Sequence, residues 1–285
     1  MNSEKLVASP KPKAPCVDLP RANVLGVGVH ALDLDQAARL VLEAIDDGRK
    51  GYVCVTGVHG VTEARRNPEF LRTLESAMLV VPDGMPTVWV GRWQGHRQME
   101  RVFGPDLLLE VCRRSVGPGF THFLYGGKPG VAEELGSNLR RLFPGINIVG
   151  QFTPPFRELS ALEQSELQQQ LARVTPDIVW VGLSTPKQER FMAEYLPHLD
   201  CTIMIGVGAA FDLHTGLLKD APTWMKRAGL QWFHRLVQEP RRLWKRYLVN
   251  NSVFLVNILL QIVGVRRYQL AQADPDSSAV SGPEL

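Results

Sequence analysis

Glycine, charged and polar residues follow five short apolar segments of the chain, in turns at residues 57–60, 83–86, 126–130, 184–190 and 206–212. If the apolar segments are parallel strands, these turns meet at the carboxyl edge of the sheet, where open α/β sheets bind ligands. The turns at 126–130 and 206–212 combine glycines with a following helix, which lets backbone N–H groups contact a phosphate. For 126–130, a plain strand-to-helix turn is the alternative.

Asp83 is the candidate for proton transfer. It follows an apolar segment and Pro82 and precedes Gly84, so its carboxylate would project from a constrained loop. In that position a carboxylate can act as a general base. The alternative is a turn aspartate that bonds only the local backbone.

The helix expected after Pro186 begins with Lys187, Gln188 and Arg190. These side chains are donors for phosphate or sugar oxygens. Lys and Arg oppose the helix dipole at an amino terminus, so their placement favours an anion nearby. A solvated first turn with salt bridges is the alternative.

Several common site types are absent from the sequence. Residues 126–130 lack the Walker spacing, and the turn at 206–211 is only a degenerate dinucleotide motif without a following acidic residue, so ATPase and dinucleotide-binding functions are disfavoured. His59 and His214 could reach the cleft expected at this edge of the sheet, but two scattered imidazoles do not make a metal site.

The four cysteines lie far apart, which argues against disulfides and metal–sulfur sites. We expect a reducing cytosolic compartment, no bound metal and no cofactor.

The elements that would position these residues follow a regular order. Val- and Ile-rich segments at 52–56, 78–82, 121–126, 146–150, 177–183 and 201–208 read as buried parallel strands. Helical segments are expected at 34–47, 60–76, 105–115, 129–143, 160–174 and 187–196. The alternation predicts an α/β fold with a Rossmann-like, mostly parallel sheet, flanking helices and a basic helical C-terminal appendage.

Charge divides the 285-residue chain unevenly. Residues 219–268 carry ten basic and two acidic residues, or +8, although the net charge of the whole chain is only +3. Such a segment favours an anionic partner: nucleic acid, a phosphorylated substrate or an anionic membrane. We expect a disordered tail over 1–22, a body over 23–218, a basic amphipathic appendage over 219–268 and a disordered tail over 269–285. The first twenty residues lack the apolar core of a secretory signal.

The appendage also contains an apolar stretch, residues 253–265. Its length of about 13 residues is short of the roughly 20 that span a bilayer. Aromatic and basic residues around it favour a helix lying in a membrane interface. A helical cap on the body or an oligomer contact is an equal alternative.

Six stretches together resemble the bacterial N-acetylmannosaminyltransferase family of glycosyltransferases, known from wall teichoic acid, enterobacterial common antigen and capsule synthesis. They are VVPDGMP (80–86), FGPDLLLEVC (103–112), FLYGGKPGVAEEL (123–135), PDIVWVGLSTPKQERFM (176–192), GVGAAFDLHTG (206–216) and AGLQWFHRLVQEPRRLWKRYLVNN (228–251). The resemblance implies transfer of a sugar, with inversion and without an essential metal, from a UDP-sugar to a polyprenyl-diphosphate-linked acceptor. It implies that Asp83 is the base and that Gln188 contacts the sugar nucleotide.

One element departs from the family. Many members have Thr-x-Asn after the first core strand, whereas this chain reads Val55-Thr56-Gly57-Val58-His59, with Gly57 in the place of the Asn. The loop faces the donor in the family. The donor sugar therefore stays open between N-acetylmannosamine, glucose and a uronic acid.

The predicted substrate-binding residues come from the body and from the appendage. Those of the body are Thr56, His59, Gly126, Gly127, Lys128, Lys187, Gln188, Arg190, Gly206, Gly208 and Asp212. Those of the appendage are Arg227, Arg235, Arg241, Arg242 and Arg246, shared between the UDP phosphates and the acceptor diphosphate.

The overall hypothesis is an inverting glycosyltransferase of surface-polysaccharide synthesis, peripheral on the inner face of the plasma membrane. Its expected partners are the UDP-sugar, the lipid-linked acceptor and an anionic membrane, without nucleic acid; a homo-oligomer is left open. The alternative is a catalytically inactive, membrane-associated regulatory protein that binds nucleotide or phospholipid.

Overall fold

Apolar segments buried on both faces form the centre of the molecule. The computed structural model describes residues 19–270, apart from the side chain of Arg246. An antiparallel hairpin comes first, β1 (Arg21–Val24) and β2 (Val27–His30). The main strands are β3 (Gly51–Thr56), β4 (Leu79–Pro82), β5 (Thr121–Gly126), β6 (Asn147–Phe152), β7 (Ile178–Gly182) and β8 (Ile203–Gly206). They form a six-stranded parallel sheet in the order β4-β3-β8-β7-β5-β6, which confirms the predicted fold class.

Helices cover both faces of the sheet. In the body they are α1 (Leu34–Asp46), α2 (Val58–Arg66), α3 (Pro68–Glu75), α4 (Met85–Trp93), α5 (Gly104–Ser115), α6 (Val131–Leu142), α7 (Ala161–Val174), α8 (Lys187–Tyr195) and α9 (Ala210–His214). A 3₁₀ turn, Leu196–His198, follows α8. The C-terminal helices are α10 (Thr223–Arg227), α11 (Gln231–Gln238) and α12 (Pro240–Ile262). Apolar side chains on the two sheet faces form two separate core clusters.

Three elements differ from the prediction. The single helix expected over 60–76 is two, because the side chain of Asn67 caps a new helix that starts at Pro68. Helix α4 was not predicted, since its sequence MPTVWVGRW is rich in β-branched and aromatic residues and contains a glycine. The hairpin was also missed, and β1 begins at Arg21, inside the predicted tail 1–22.

The C-terminal helices pack on the body. Phe254 and Ile258 of α12 are buried in the core cluster that also contains β1, β2 and α2. Gln261 of α12 accepts a hydrogen bond from the N–H of Leu25 and donates one to the carbonyl of Asn23. The appendage is therefore part of the packed structure. Apart from 19–22 and 269–270, the predicted tails lie outside the described residues.

Candidate active site

The parallel order brings the five turns identified in the sequence to one edge of the sheet, because β3, β4, β5, β7 and β8 all end there. Between this edge and helices α11 and α12 lies a cleft of about 1250 Å³. Residues of all five turns line it, together with side chains of α4, α11 and α12. The position agrees with the rule that open α/β sheets bind ligands beyond the carboxyl ends of their strands.

Asp83 lies in this cleft, held by backbone contacts. Its N–H donates to the carbonyl of Thr56 at the end of β3, 3.0 Å away. Gly84 follows with φ +95°, a conformation that side chains disfavour, and begins the turn into α4. The Thr87 hydroxyl closes that turn by donating to the Gly84 carbonyl. The carboxylate thus comes from a loop fixed by the neighbouring strand and helix.

The electrostatic surroundings of Asp83 suit a general base. Burial raises the pKa of its carboxyl, Arg101 and Arg235 oppose that rise, Asp106 adds to it, and the pKa is about 6. At neutral pH the group is therefore mostly ionised while remaining more basic than an ordinary aspartate. This balance is favourable for taking a proton from a hydroxyl group.

Arg101 was not predicted as a site residue. It lines the cleft, its guanidinium stacks over the Phe103 ring at 4.6 Å, and it forms an ion pair of 3.5 Å with Asp106. It also donates a hydrogen bond to Gln231 of α11. Arg101 therefore links the body to the C-terminal helices, and it lies close enough to the candidate base to lower the pKa of Asp83. The sequence around it, MERVFGPD, carries no spacing signal that would mark it.

Gln188 joins two of the turns. Its Oε1 accepts a hydrogen bond of 3.0 Å from the N–H of Gly208, and its Nε2 donates to Glu189 Oε1. The Thr185 hydroxyl also donates to Glu189. Glu189 is buried, and burial raises the pKa of its carboxyl. Gln188 lines the cleft but is almost fully buried, so its visible role is to hold the turn at 206–212 in place.

His59 connects the cleft to α12. Its Nε2 lies 3.2 Å from the carbonyl oxygen of Thr185, and its Nδ1 lies 2.8 Å from Nδ2 of Asn250. Arg66 of α2 donates to the other end of the Asn250 amide. A polar chain through one imidazole thus ties α2, α12 and the loop before α8 together.

Two appendage cations lie in the cleft and share one carboxylate. Arg235 of α11 and Arg242 of α12 both form ion pairs with Glu239, at 3.1 and 2.6 Å. Lys226 of α10, which was not predicted, also lines the cleft. Together with Arg101 these side chains supply the positive charge that a diphosphate requires.

Most of the predicted site residues are brought together. Those that line the cleft are Asp83, His59, Gly127, Lys128, Lys187, Gln188, Arg190, Gly206, Gly208, Asp212, Arg235 and Arg242.

Four predicted residues are not among the described residues that line the cleft. Thr56 is buried in the sheet, and Gly126 packs so closely on Gly182 that an added Cβ would lie 2.7 Å from its carbonyl oxygen. Arg227 and Arg241 are exposed near one end of α10 and of α12, outside the cleft. Net charge alone does not say which face of a helix a cation occupies. The Arg246 side chain lies outside the described set.

The described residues contain neither a metal-type cluster nor a spanning helix. Over 19–270 no three His, Cys, Asp or Glu side chains are grouped so that they could hold a metal ion. Within the same range no helix is long and apolar enough to cross a bilayer. Metal-independent activity stays a prediction.

The fold and the cleft define a class of protein. A Rossmann-like parallel sheet presents a carboxylate of raised pKa beside arginines suited to a diphosphate, the chemistry needed for group transfer from a nucleotide-activated donor.

Comparison with known proteins defines the family. Residues 22–268 match the model of the "Glycosyl transferase WecG/TagA/CpsF family", and the chain belongs to this family of glycosyltransferases. The resemblance found in the sequence is thereby confirmed, and the chain is an enzyme of the transferase class.

Two Bacillus proteins are similar to the chain. Both are named N-acetylglucosaminyldiphosphoundecaprenol N-acetyl-beta-D-mannosaminyltransferase. The protein of Bacillus subtilis (strain 168) is 32% identical over 185 residues, which is 65% of this chain and 70% of the relative. The protein of Bacillus spizizenii (strain W23) is 31% identical over 230 residues, 80% of this chain and 84% of the relative.

Proposed function

We propose that this glycosyltransferase moves a sugar from a UDP-sugar to a hydroxyl group of a polyprenyl-diphosphate glycolipid, with inversion at the anomeric carbon. The observation that carries the proposal is Asp83, with a pKa of about 6, next to Arg101 and Arg235 in the cleft. The names of the two Bacillus relatives, whose acceptor is a diphosphoundecaprenol-linked sugar, support the acceptor class.

In the proposed reaction Asp83 acts as the general base. Its carboxylate accepts the proton of the acceptor hydroxyl while that oxygen attacks the anomeric carbon from the face opposite UDP. A new C–O bond forms to the acceptor, and the bond from the anomeric carbon to the UDP oxygen breaks. The electron pair leaves with UDP, and Asp83 ends the step protonated.

The cations of the cleft stabilise the leaving group. Negative charge grows on the UDP diphosphate as its bond to the sugar breaks, and donors already in position lower the cost of that change. Arg235, Arg242 and Lys226 line the cleft from the C-terminal helices, and Lys128 lines it from the turn after β5. Several cations in one cleft suit a flexible diphosphate.

The donor sugar is proposed to be N-acetylmannosamine or a related hexose or uronic acid. The loop after β3 lines the cleft with Gly57, which has no side chain, and with the residues that follow it. The Thr56 hydroxyl is buried, with no hydrogen-bond partner among the described residues. The side chains that this loop presents to the cleft are those of Val58 and His59, and both ring nitrogens of His59 already contact Thr185 and Asn250.

The proposed location is the inner face of the plasma membrane, with the enzyme bound peripherally. The acceptor lipid resides in a membrane, and α10 to α12 expose large apolar side chains beside basic ones. The apolar set includes Trp224, Phe233, Trp244, Leu248 and Val249. Aromatic and basic residues of this kind favour the interface of an anionic bilayer.

A reconstituted assay tests the function. Purified enzyme is incubated with radiolabelled UDP-sugars and a synthetic short-chain polyprenyl-diphosphate N-acetylglucosamine, and the product is analysed by chromatography and by NMR of the new anomeric centre. We expect one donor to give a glycolipid of inverted configuration. Absence of transfer from every UDP-sugar tried, or a retained configuration, would contradict the proposal.

A further inference from the structure

The cavity that contains Asp83 also has an apolar part, to which α4 and α12 contribute. Helix α4 contributes Trp89 and Trp93 to its lining, and helix α12 contributes Leu255, Leu259 and Ile262; these residues are called the groove. The three α12 residues are spaced by four and three positions, so they share one face of the helix. The groove and the catalytic carboxylate are thus parts of one cavity.

The groove residues are exposed although they are apolar. Trp89 and Trp93 are 49% and 54% exposed, and Leu255 and Leu259 are 59% and 52% exposed. No charged residue occurs in the sequence from 248 to 265. Apolar side chains gathered along a channel that leads to a reactive group indicate a hydrocarbon ligand.

The α4 part of the groove is fixed by close packing. A Cβ added to Gly229, which has φ +70°, would lie 2.8 Å from the Trp89 ring and 3.3 Å from Met85. The turn between α10 and α11 therefore sits directly on α4. The α12 part is fixed by Phe254 and Ile258, which are buried next to the exposed pair on α12.

The cavity has a cationic part and an apolar part. Arg101 and Arg235 lie close enough to Asp83 to lower its pKa, and Arg242 shares Glu239 with Arg235, whereas the lining from α4 and α12 includes tryptophan, leucine and isoleucine. A diphosphate joined to a hydrocarbon chain has the same two parts. We infer that the groove binds the first isoprenoid units of the acceptor, so that the enzyme recognises the lipid as well as its sugar; the inference rests on the proposed function.

Helix α12 has a second apolar side that offers a matched control. Val256 is 56% exposed, about as much as its neighbour Leu255, but it is not among the residues that line the cleft. A bilayer in contact with the outside of α12 would touch Val256, whereas an isoprenoid inside the groove would touch Leu259 and Trp93. Substitutions at these positions separate the two modes of lipid contact.

The test uses two acceptors that share the N-acetylglucosamine diphosphate and carry either a farnesyl or a methyl group, each below its micelle concentration. The ratio of kcat/KM for farnesyl over methyl measures recognition of the chain. We expect a ratio of about 10 or more in the wild type, a fall toward 1 in Leu259→Gln and in Trp93→Gln, and no change in Val256→Gln. The two groove variants lie on different helices, so misfolding of one leaves the other as a test.

Each result has a separate meaning. Transfer to both acceptors at equal kcat/KM by the wild type would show that the groove does not bind the isoprenoid chain, and it would leave the proposed function intact. The inference would also be wrong if Val256→Gln lowered the farnesyl-to-methyl ratio of kcat/KM as much as Leu259→Gln does. Lack of transfer to either acceptor would instead count against the proposed function.

Discussion

Gly57 and Asp83 are in backbone contact: a Cβ added to Gly57 would lie 2.5 Å from the carbonyl oxygen of Asp83. The ends of β3 and β4 approach so closely that only a hydrogen fits between them. Gly57 is therefore required, in this chain, for the position of the candidate base.

The first prediction concerns this contact. In Gly57→Ala the loop carrying Asp83 must move, and displacing a reacting group by about 1 Å can cost on the order of 10²-fold in rate. We expect kcat to fall at least tenfold. Gly117→Ala is the control, because nothing lies within 4 Å of a Cβ added there. Wild-type kcat in Gly57→Ala would show that the contact is not needed.

The second prediction concerns the base itself. Asp83→Asn keeps the shape of the side chain but cannot accept a proton, so kcat should fall by about 10²–10⁴-fold. Binding of the UDP-sugar, measured by calorimetry, should change little, since the base acts on the acceptor. Asp46→Asn, a change to an exposed residue of α1, should leave kcat unaffected. Wild-type turnover in Asp83→Asn would mean that Asp83 is a structural turn residue and is not the base.

The third prediction concerns pH. Only ionised Asp83 can act as a base, so kcat/KM should rise with pH through about 6 and then level off. Arg101 lowers the pKa of Asp83 and Asp106 raises it. Arg101→Gln should therefore move the acidic limb to higher pH, and Asp106→Asn should move it to lower pH.

Profiles of kcat/KM measured from pH 5 to 9 check the opposite shifts. Arg92 provides a control, because it pairs with Glu100 and is not among the described residues that line the cleft. Arg92→Gln should leave the limb in place. If the acidic limb moved in the same direction in Arg101→Gln and in Asp106→Asn, Asp83 would not be the titrating group.

The arrangement of the strands was predictable because each main strand is an apolar segment bounded by turn residues. The pattern of apolar residues and the composition of these segments were enough to find the six strands of the sheet. The parallel arrangement of the strands then placed Asp83 and Gln188 at one edge. The hairpin β1–β2 was not predictable in this way. The burial of its strands depends on packing against β4 and α4, which are distant in sequence.

The cations of the site were only partly predictable. The excess of positive charge in residues 219–268 indicated an anionic partner. The orientation of the helices decides which of these side chains reach the cleft. Arg235 and Arg242 do so, and Arg227 and Arg241 do not. Arg101 was missed because its place beside Asp83 depends on Gln231, 130 residues further along the chain.

The fourth prediction concerns the attachment of α12. Gln261 forms hydrogen bonds with the backbone of Asn23 and Leu25, so Gln261→Ala leaves both groups without that partner. We expect the free energy of unfolding to fall by about 1–3 kcal/mol. Gln168→Ala, at an exposed position of α7, is the control and should change stability by less than about 0.5 kcal/mol. Equal stability of the two variants in urea unfolding would mean that α12 is only loosely attached.

The last prediction concerns the charge on the leaving group. If the arginines of the cleft stabilise UDP as it departs, activity should be unchanged in EDTA, and loss of one donor should lower kcat by about 10²-fold. Arg235→Ala removes a guanidinium that lies in the cleft near Asp83. Arg241→Ala removes one from the same basic segment that is exposed outside the cleft, and it should leave kcat with a soluble short-chain acceptor near the wild-type value. If EDTA abolished activity and Mg²⁺ or Mn²⁺ restored it, a metal ion would stabilise the leaving group instead of the arginines. Equal losses of kcat in the two arginine variants would mean that the basic segment acts through its total charge.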